Sequence, residues 1–251
     1  MPSFWEHVKQ VLQRADIIIE VLDARMVAET RNPELEQKVQ RVGKKLLLVL
    51  NKADLADIHN LQKIQSQLPP SVFISSTQRL GTTILKKKIL ELSRGEKTTV
   101  GIVGYPNVGK SSLINALSGR SSARTSSESG FTRGLQLVRV SPKILLIDTP
   151  GVLPWKEKNE IKHSLTGALS YNKIKDPETV ALTLIQDQPE LLRKHYQVRG
   201  EDPEEILENL ATKWKKFYKG GIPDLEAAAR IILKDWQQGH IKTKELKMFS
   251  R

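Results

Sequence analysis

The chain is 251 residues long, with 39% hydrophobic residues, no cysteine, and a formal net charge of +12 from 40 basic and 28 acidic side chains. This length buries one large core or a core plus a smaller domain, and the lack of cysteine excludes disulfides and thiolate metal sites. No secretory signal and no apolar run of about 18 residues is present, which excludes a membrane partner and leads us to expect a cytoplasmic protein with a polyanionic partner, nucleic acid first.

Ser3-x-x-Glu6 has the form of a capping box, and Phe4, Val8, Val11, Leu12 and Ala15 follow at helical spacing, so an amphipathic helix opens the chain. A buried strand over 17–22 leads into Asp23-Ala24-Arg25. Asn32-Pro33 starts a helix bearing Leu35, Val39 and Val42, and the apolar strand 45–50 ends in Asn51-Lys52-Ala53-Asp54. That tetrapeptide chooses a base. The Asp54 carboxylate accepts from the two N–H groups of guanine's Watson–Crick edge, Asn51 ties neighbouring loops together, and the Lys52 stem covers the ring. Adenine would leave Asp54 unpaired, a penalty that reaches ~10^4-fold in discrimination. N-K-x-D alone is a weak signal, and its place after a strand strengthens it. A helix near 57–68 and a strand at 72–74 lead to Ser75-Ser76-Thr77, where a backbone amide is expected to meet guanine O6. The next helix, near 82–93, carries Lys86-Lys87-Lys88, read as a solvated face.

Thr98 to Val103 is a β-rich apolar run, and the helix-compatible segment Lys110 to Leu117 puts Leu113, Ile114 and Leu117 on one face. Between them Gly104-Tyr105-Pro106-Asn107-Val108-Gly109-Lys110-Ser111 fits the phosphate-binding pattern G-x-x-x-x-G-K-[ST]. Such a match arises by chance in about one in a hundred chains of this length, and the strand–loop–helix setting removes most of that risk. Gly104 and Gly109 permit the turn and a close backbone approach. The amides of Val108 to Ser111 then point at the β-phosphate from a helix N-terminus, with Ser112 counted among the phosphate contacts. Lys110 reaches the β- and γ-phosphates, and the Ser111 hydroxyl ligates Mg2+.

Gly119 to Gly134 is rich in Ser, Thr, Gly and Arg and reads as a mobile loop. Thr132, in Gly130-Phe131-Thr132-Arg133, is preferred over Thr125 as the threonine that closes on Mg2+ with the γ-phosphate. Strands near 134–140 and 143–147 are expected as an antiparallel edge, and Asp148-Thr149-Pro150-Gly151 follows them. Asp148 is the expected water-linked Mg2+ ligand, and the Gly151 amide the γ-phosphate contact. The next residue, Val152, stands where a glutamine often orients the attacking water, so unaided hydrolysis should be slow, with Lys110 and Thr132 the only residues assigned a catalytic role.

Alternating strands and helices with loops at strand carboxyl ends predict an α/β fold, a doubly wound, mostly parallel sheet over residues 1–155. From 156 to 251 only helices are expected, three or four of them, with starts at Asp176-Pro177-Glu178, Asp202-Pro203-Glu204 and Pro223-Asp224. Lys213, Lys215, Lys216 and Lys219 mix there with Trp214, Phe217 and Tyr218, a composition open to RNA contact, with Trp214 read as core. Lys242, Lys244 and Lys247 suit phosphate contact without specifying a partner.

The order of N-K-x-D, Ser-rich turn, G-x-P-N-V-G-K-S, G-F-T and D-T-P-G, together with Asp23-Ala24-Arg25 and Asn32-Pro33, resembles the circularly permuted GTPases of the YlqF/YawG type over residues 1 to about 155. The resemblance implies a Ras-like P-loop core that hydrolyses GTP to GDP and phosphate with Mg2+. It further implies a nucleotide-dependent switch in large ribosomal subunit assembly that binds ribosomal RNA, the subunit or its precursor. In GTPases that use potassium, an asparagine at the position of Asn107 coordinates the ion, so K+ stands beside plain loop stabilisation as its role. Three departures are visible. Ser129-Gly130 replaces the usual Pro-Gly before the switch threonine, Ser76 replaces an alanine, and the His-bearing segment given a hydrolytic role in bacterial members has no counterpart ahead of the first helix. His7, inside that helix, receives no such role. A GTPase in tRNA modification or translation, and a non-hydrolysing GTP-binding RNA scaffold, remain open as alternatives. Because Val152 to Lys158 leads into the helical region, closure of Gly151 on GTP is expected to reorient residues 160–240.

Overall fold

The computed structural model describes residues 4–68, 70–119, 136–148 and 159–241, with the backbone alone at Phe4, His7, Gln136 and Asp148. The chain forms two compact units, of which the second is Lys158–Thr243.

In the first unit the strands β1 (Ile17–Asp23), β2 (Lys45–Asn51), β3 (Ser71–Phe73), β4 (Thr98–Gly104), β5 (Gln136–Arg139) and β6 (Ile144–Asp148) form one sheet in the order β3-β2-β1-β4-β6-β5. Its helices are α1 (Phe4–Arg14), α2 (Val27–Thr30), α3 (Pro33–Arg41), α4 (Ile58–Gln67), α5 (Thr82–Leu92) and α6 (Lys110–Ser118). Every residue of β1 is buried, as a central strand covered on both faces requires. Alternate side chains sort to the two faces. Ile17, Ile19 and Val21 pack with Leu85 and Ile89 of α5 and with Leu113, Ile114 and Leu117 of α6. Ile18 packs with Val11 of α1 and with Leu35 and Val39 of α3, while Leu22 meets Leu61 of α4. Full burial of each such side chain contributes about 1.5–3 kcal/mol.

The strands expected near 134–140 and 143–147 as an antiparallel edge are β5 and β6, which pair antiparallel from Gln136↔Asp148 to Arg139↔Leu145, while β6 also pairs parallel with β4 through Thr98↔Ile144 to Gly101↔Ile147. Leu146 of β6 is fully buried, so the strand belongs to the core rather than the rim. The short helix α2 was not anticipated. Four residues are too few for periodicity, and a local clasp holds it: the Asp23 N–H donates to Thr30 Oγ1 at 3.1 Å, and that hydroxyl donates to Met26 O at 2.7 Å.

One charged side chain sits inside the apolar layer. Glu20 is fully buried in β1, and its Oε1 accepts from the N–H of Asn32, the N-cap of α3, at 2.7 Å. Its Oε2 has no hydrogen-bond partner among the described residues. Burial pushes the carboxyl up to about 8, opposed by the Asn32 N–H.

The second unit holds five α-helices among the described residues, where three or four were expected: α7 (Glu160–Leu165), α8 (Pro177–Asp187), α9 (Pro189–Tyr196), α10 (Pro203–Lys213) and α11 (Leu225–Gln238). α9 escaped the pattern because one residue, Gln188, separates it from α8. Asp176, Asp202 and Asp224 cap α8, α10 and α11 by accepting from the third backbone N–H onward. Val180, Leu184, Leu207, Leu210, Ile232 and Trp236 are buried within the unit, and Trp236 Nε1 donates to Leu165 O at 2.8 Å.

Candidate functional site

Parallel strands carry the candidate residues to one end of the sheet. β1 ends at Asp23, paired in register with Asn51 at the end of β2, and Val21 of β1 pairs with Gly104 at the end of β4. Strand order reverses between β1 and β4, the place where open parallel sheets bind ligands. The backbone of β6 brings Asp148 to the corresponding end of the next strand.

The phosphate loop is shaped by its glycines. Gly104 lies at φ 146, and a Cβ there would stand 2.4 Å from Val21 O; Gly109 lies at φ 93, and a Cβ there would stand 2.3 Å from Asn51 Nδ2. Neither position admits a side chain. Asn107 also takes a positive φ, of 60. α6 starts at Lys110 with Gly109 as its N-cap and no side-chain cap, so its first-turn N–H groups are offered to an anion. Ser111 and Ser112 lie in that turn, half-buried. Lys110 is buried, and its Nζ donates to the carbonyls of Gly104 at 2.9 Å and Tyr105 at 2.6 Å.

Asn51 joins the segments that the sequence keeps apart. Its Nδ2 donates to Val108 O at 2.9 Å and Gly109 O at 3.4 Å. Its Oδ1 accepts from the Ser76 N–H at 3.2 Å and the Ser76 hydroxyl at 2.7 Å. Of the turn expected to bring a backbone amide to guanine O6, the Ser76 amide is turned to Asn51. Ser75 supports the turn: its Oγ accepts from the Gln78 N–H at 3.2 Å and lies 3.2 Å from the Thr77 hydroxyl.

Lys52 adopts the left-handed region at φ 62 and donates to Asp23 Oδ2 at 2.8 Å. Asp23 is fully buried and also accepts from Arg25 Nη2 at 2.7 Å, Arg25 Nε at 3.0 Å and the Arg25 N–H at 3.0 Å. Burial alone would raise its pKa; Arg25 and Lys52 override that and hold its carboxyl well below the usual carboxylate range. Burial lowers the Lys52 ammonium, with Asp23 opposing. Asp54 follows in a 3-10 turn, Ala53–Leu55, and its Oδ1 is a buried acceptor with no hydrogen-bond partner among the described residues. A buried carboxylate oxygen without a donor is costly in a folded protein unless a ligand supplies one.

Sequence pattern alone assigns no role to Asp23 and Arg25 and does not show the hydrogen bond of the Ser76 hydroxyl to Asn51. The single available signal was a carboxylate at the carboxyl end of a buried strand. Thr132, Gly151 and Val152, with Lys242, Lys244 and Lys247, lie outside the described residues, as does the side chain of Asp148.

The family described as RsgA GTPase matches residues 17–156, more than half of the chain, and the family described as 50S ribosome-binding GTPase matches residues 99–216. An uncharacterized GTP-binding protein of Methanocaldococcus jannaschii is 40% identical over 243 residues, covering 93% of this chain and 65% of that protein. The guanine nucleotide-binding protein-like 3 homolog of Drosophila melanogaster is 33% identical over 279 residues, covering 96% of this chain and 48% of that protein. The chain therefore spans between about half and two thirds of these relatives' length. GNP-bound YlqF from T. maritima has a similar crystal structure, with a TM-score of 0.66 at 25% identity and 95% of each chain covered.

Proposed function

Because the chain belongs to the YlqF-like circularly permuted GTPases, we propose that it binds GTP and GDP, hydrolyses GTP, and uses the difference between the two states to load onto and leave the large ribosomal subunit or its precursor. The observation that carries the nucleotide reading is Asn51 bridging the Ser76 turn and the Val108 carbonyl beside the unpaired Asp54 Oδ1. In this reading Asp54 takes the two N–H groups of guanine, Lys52 covers the ring, and Ser75 and Ser76 hold the turn beside it. The amides of Asn107 to Ser112 receive the phosphates, with Lys110 swinging from the Gly104 and Tyr105 carbonyls to the β- and γ-phosphates.

The donor set fits a nucleotide-bound Mg2+. Ser111, Asp148 and Thr132 would hold it, and it would neutralise charge developing on the phosphates. The Gly151 amide would meet the γ-phosphate. With Val152 in the place of a water-orienting glutamine, stimulation of hydrolysis by a partner is part of the proposal. Asn107, already at positive φ, is the residue we assign to a potassium ion; equal hydrolysis rates in potassium and sodium would remove that assignment.

Support for the ribosomal partner is the matched family's description over residues 99–216 and the net charge of +12. The missing glutamine favours one rival, a GTP-binding scaffold that does not turn over. Phosphate release measured with purified ribosomal particles separates the two. Multiple turnover, accelerated at least tenfold by large and not by small subunits, supports the switch. Single or no turnover supports the scaffold.

A further inference from the structure

Between α10 and α11 the chain folds back on itself in a hairpin. The Tyr218 N–H donates to Ile222 O at 2.8 Å, the Asp224 N–H to Lys216 O at 3.0 Å and the Gly221 N–H to Tyr218 O at 3.2 Å, while Phe217 bridges Pro223. Gly220 and Gly221, at φ 95 and 80, form the turn, and a Cβ on either would meet nothing within 4 Å. Two neighbouring side chains belong to the scaffold. Trp214 packs edge-on against Tyr196 at 5.0 Å, and Lys213 donates to the Tyr196 and Gln197 carbonyls at the end of α9.

The hairpin itself presents its apolar side chains to water. Phe217 is 45% exposed, Tyr218 51% and Ile222 63%, three of the few large hydrophobic side chains so exposed. Lys215, Lys216 and Lys219 stand beside them, exposed. No acidic residue occurs from Lys213 to Pro223; the Tyr218 hydroxyl is hydrogen-bonded to the Asp224 side chain, which with the charges of Glu226 and Glu178 raises its pKa, so the phenol stays neutral and its ring is the group offered. Ordered exposed aromatics cost free energy in isolation, and a hydrogen-bonded hairpin holds them in place without further ordering on binding. Aromatic faces interleaved with lysines match a polyanion that also offers unpaired π-faces.

We propose that residues 214–224 form a stacking finger for single-stranded RNA, with the Phe217 and Tyr218 rings taking unpaired bases and Lys215, Lys216 and Lys219 taking the flanking phosphates. The proposal rests on the ribosomal-RNA reading and goes beyond it, naming the contact and requiring the bases to be unpaired.

The test uses the full chain and fluorescence anisotropy with two probes, a labelled mixed-sequence single-stranded RNA dodecamer and its duplex. The single strand should bind more tightly than the duplex. Phe217→Ala and Tyr218→Ala should each weaken single-strand binding about tenfold, the order expected for one stacked base. Leu at both positions keeps apolar area but loses the π-face and should fall as far as the Ala pair, whereas Trp at both should restore binding. Lys215→Gln, Lys216→Gln and Lys219→Gln together should reduce the slope of log affinity against log salt by about 2. Labelled-GDP binding should be unchanged in every variant, which reports the first unit, and an unchanged far-ultraviolet circular dichroism spectrum reports that the helical unit is folded. Wild-type binding by the Leu pair, or equal binding of single strand and duplex, overturns the finger. Should the Leu pair retain ribosomal-subunit binding that the Ala pair loses, the hairpin serves a protein contact and the proposal fails. If RNA binding ignores the hairpin while nucleotide-dependent subunit binding persists, only the finger falls. If RNA binding needs the hairpin but no subunit is bound in either nucleotide state, the switch reading falls instead.

Discussion

Asn51 Nδ2 donates to the Val108 carbonyl at 2.9 Å across 57 residues of sequence, and Asn51 Oδ1 accepts from the Ser76 hydroxyl at 2.7 Å. One side chain at the end of β2 therefore sets the distance between the turn expected at the base and the loop expected at the phosphates. Permutation leaves this joint intact because it depends on which loops sit at which strand ends, not on their order along the chain.

Removing the joint should weaken both nucleotides alike. Asn51→Ala leaves the Val108 carbonyl and the Ser76 donors without their partner, and affinity for GTP and for GDP should fall about 10²-fold by isothermal titration calorimetry. Ser76→Ala removes one hydrogen bond and should cost no more than about tenfold. A Ser76→Ala loss as large as that of Asn51→Ala would mean that the hydroxyl contacts the nucleotide directly.

Asp54 decides the base. Asp54→Asn replaces an acceptor by a group that also donates, mismatched to guanine's amino group and matched to the C2 carbonyl of xanthine. GTP binding should fall by about 10²-fold or more, and xanthosine triphosphate should bind the variant better than GTP does. Retained GTP preference in a competition assay would contradict the role given to the unpaired Oδ1.

Asp23 is predicted to matter before any nucleotide arrives. Asp23→Asn leaves Arg25 and Lys52 side by side with their shared counter-charge gone, and breaking such a buried network costs about 3–5 kcal/mol. Nucleotide-free unfolding should show the loss. Lys52→Ala should cost much less, since its side chain is 19% exposed and Arg25 still neutralises Asp23.

Glu20 predicts a pH dependence with a definite sign. Its carboxyl stands at about 8 in the folded chain against an ordinary value of 4.5, so the folded state holds the proton more tightly. The stability this adds is complete below about pH 4.5 and is lost as pH rises through 8, a difference of a few kcal/mol for a shift of this order. Glu20→Gln keeps the acceptor for Asn32 and cannot ionise. Denaturation midpoints of the variant should exceed those of the wild type at pH 8 and lose this slope between pH 5 and 8.

The parts legible in the sequence are those written in contiguous residues. Apolar runs ending in Asn51 and Gly104 announced strands carrying binding loops, and Asp-Pro pairs announced helix starts at Pro177 and Pro203. The pairing of Asp23 with Lys52 depends on β1 and β2 lying side by side in register, which no local pattern encodes. Glu20 was hidden for a related reason: a strand buried on both faces has no polar side, so a charge within Ile17–Asp23 does not announce which layer it enters. The aromatic segment after α10 was ambiguous because composition alone does not separate Trp214, packed on Tyr196, from Phe217 and Tyr218, which face water.

Co-sedimentation with purified large ribosomal subunits tests the proposed switch most directly. With a non-hydrolysable GTP analogue the chain should pellet with the subunit, and with GDP at the same salt at least tenfold less should do so, the bound fraction falling steeply as salt rises. Equal recovery in the two nucleotide states would contradict the switch.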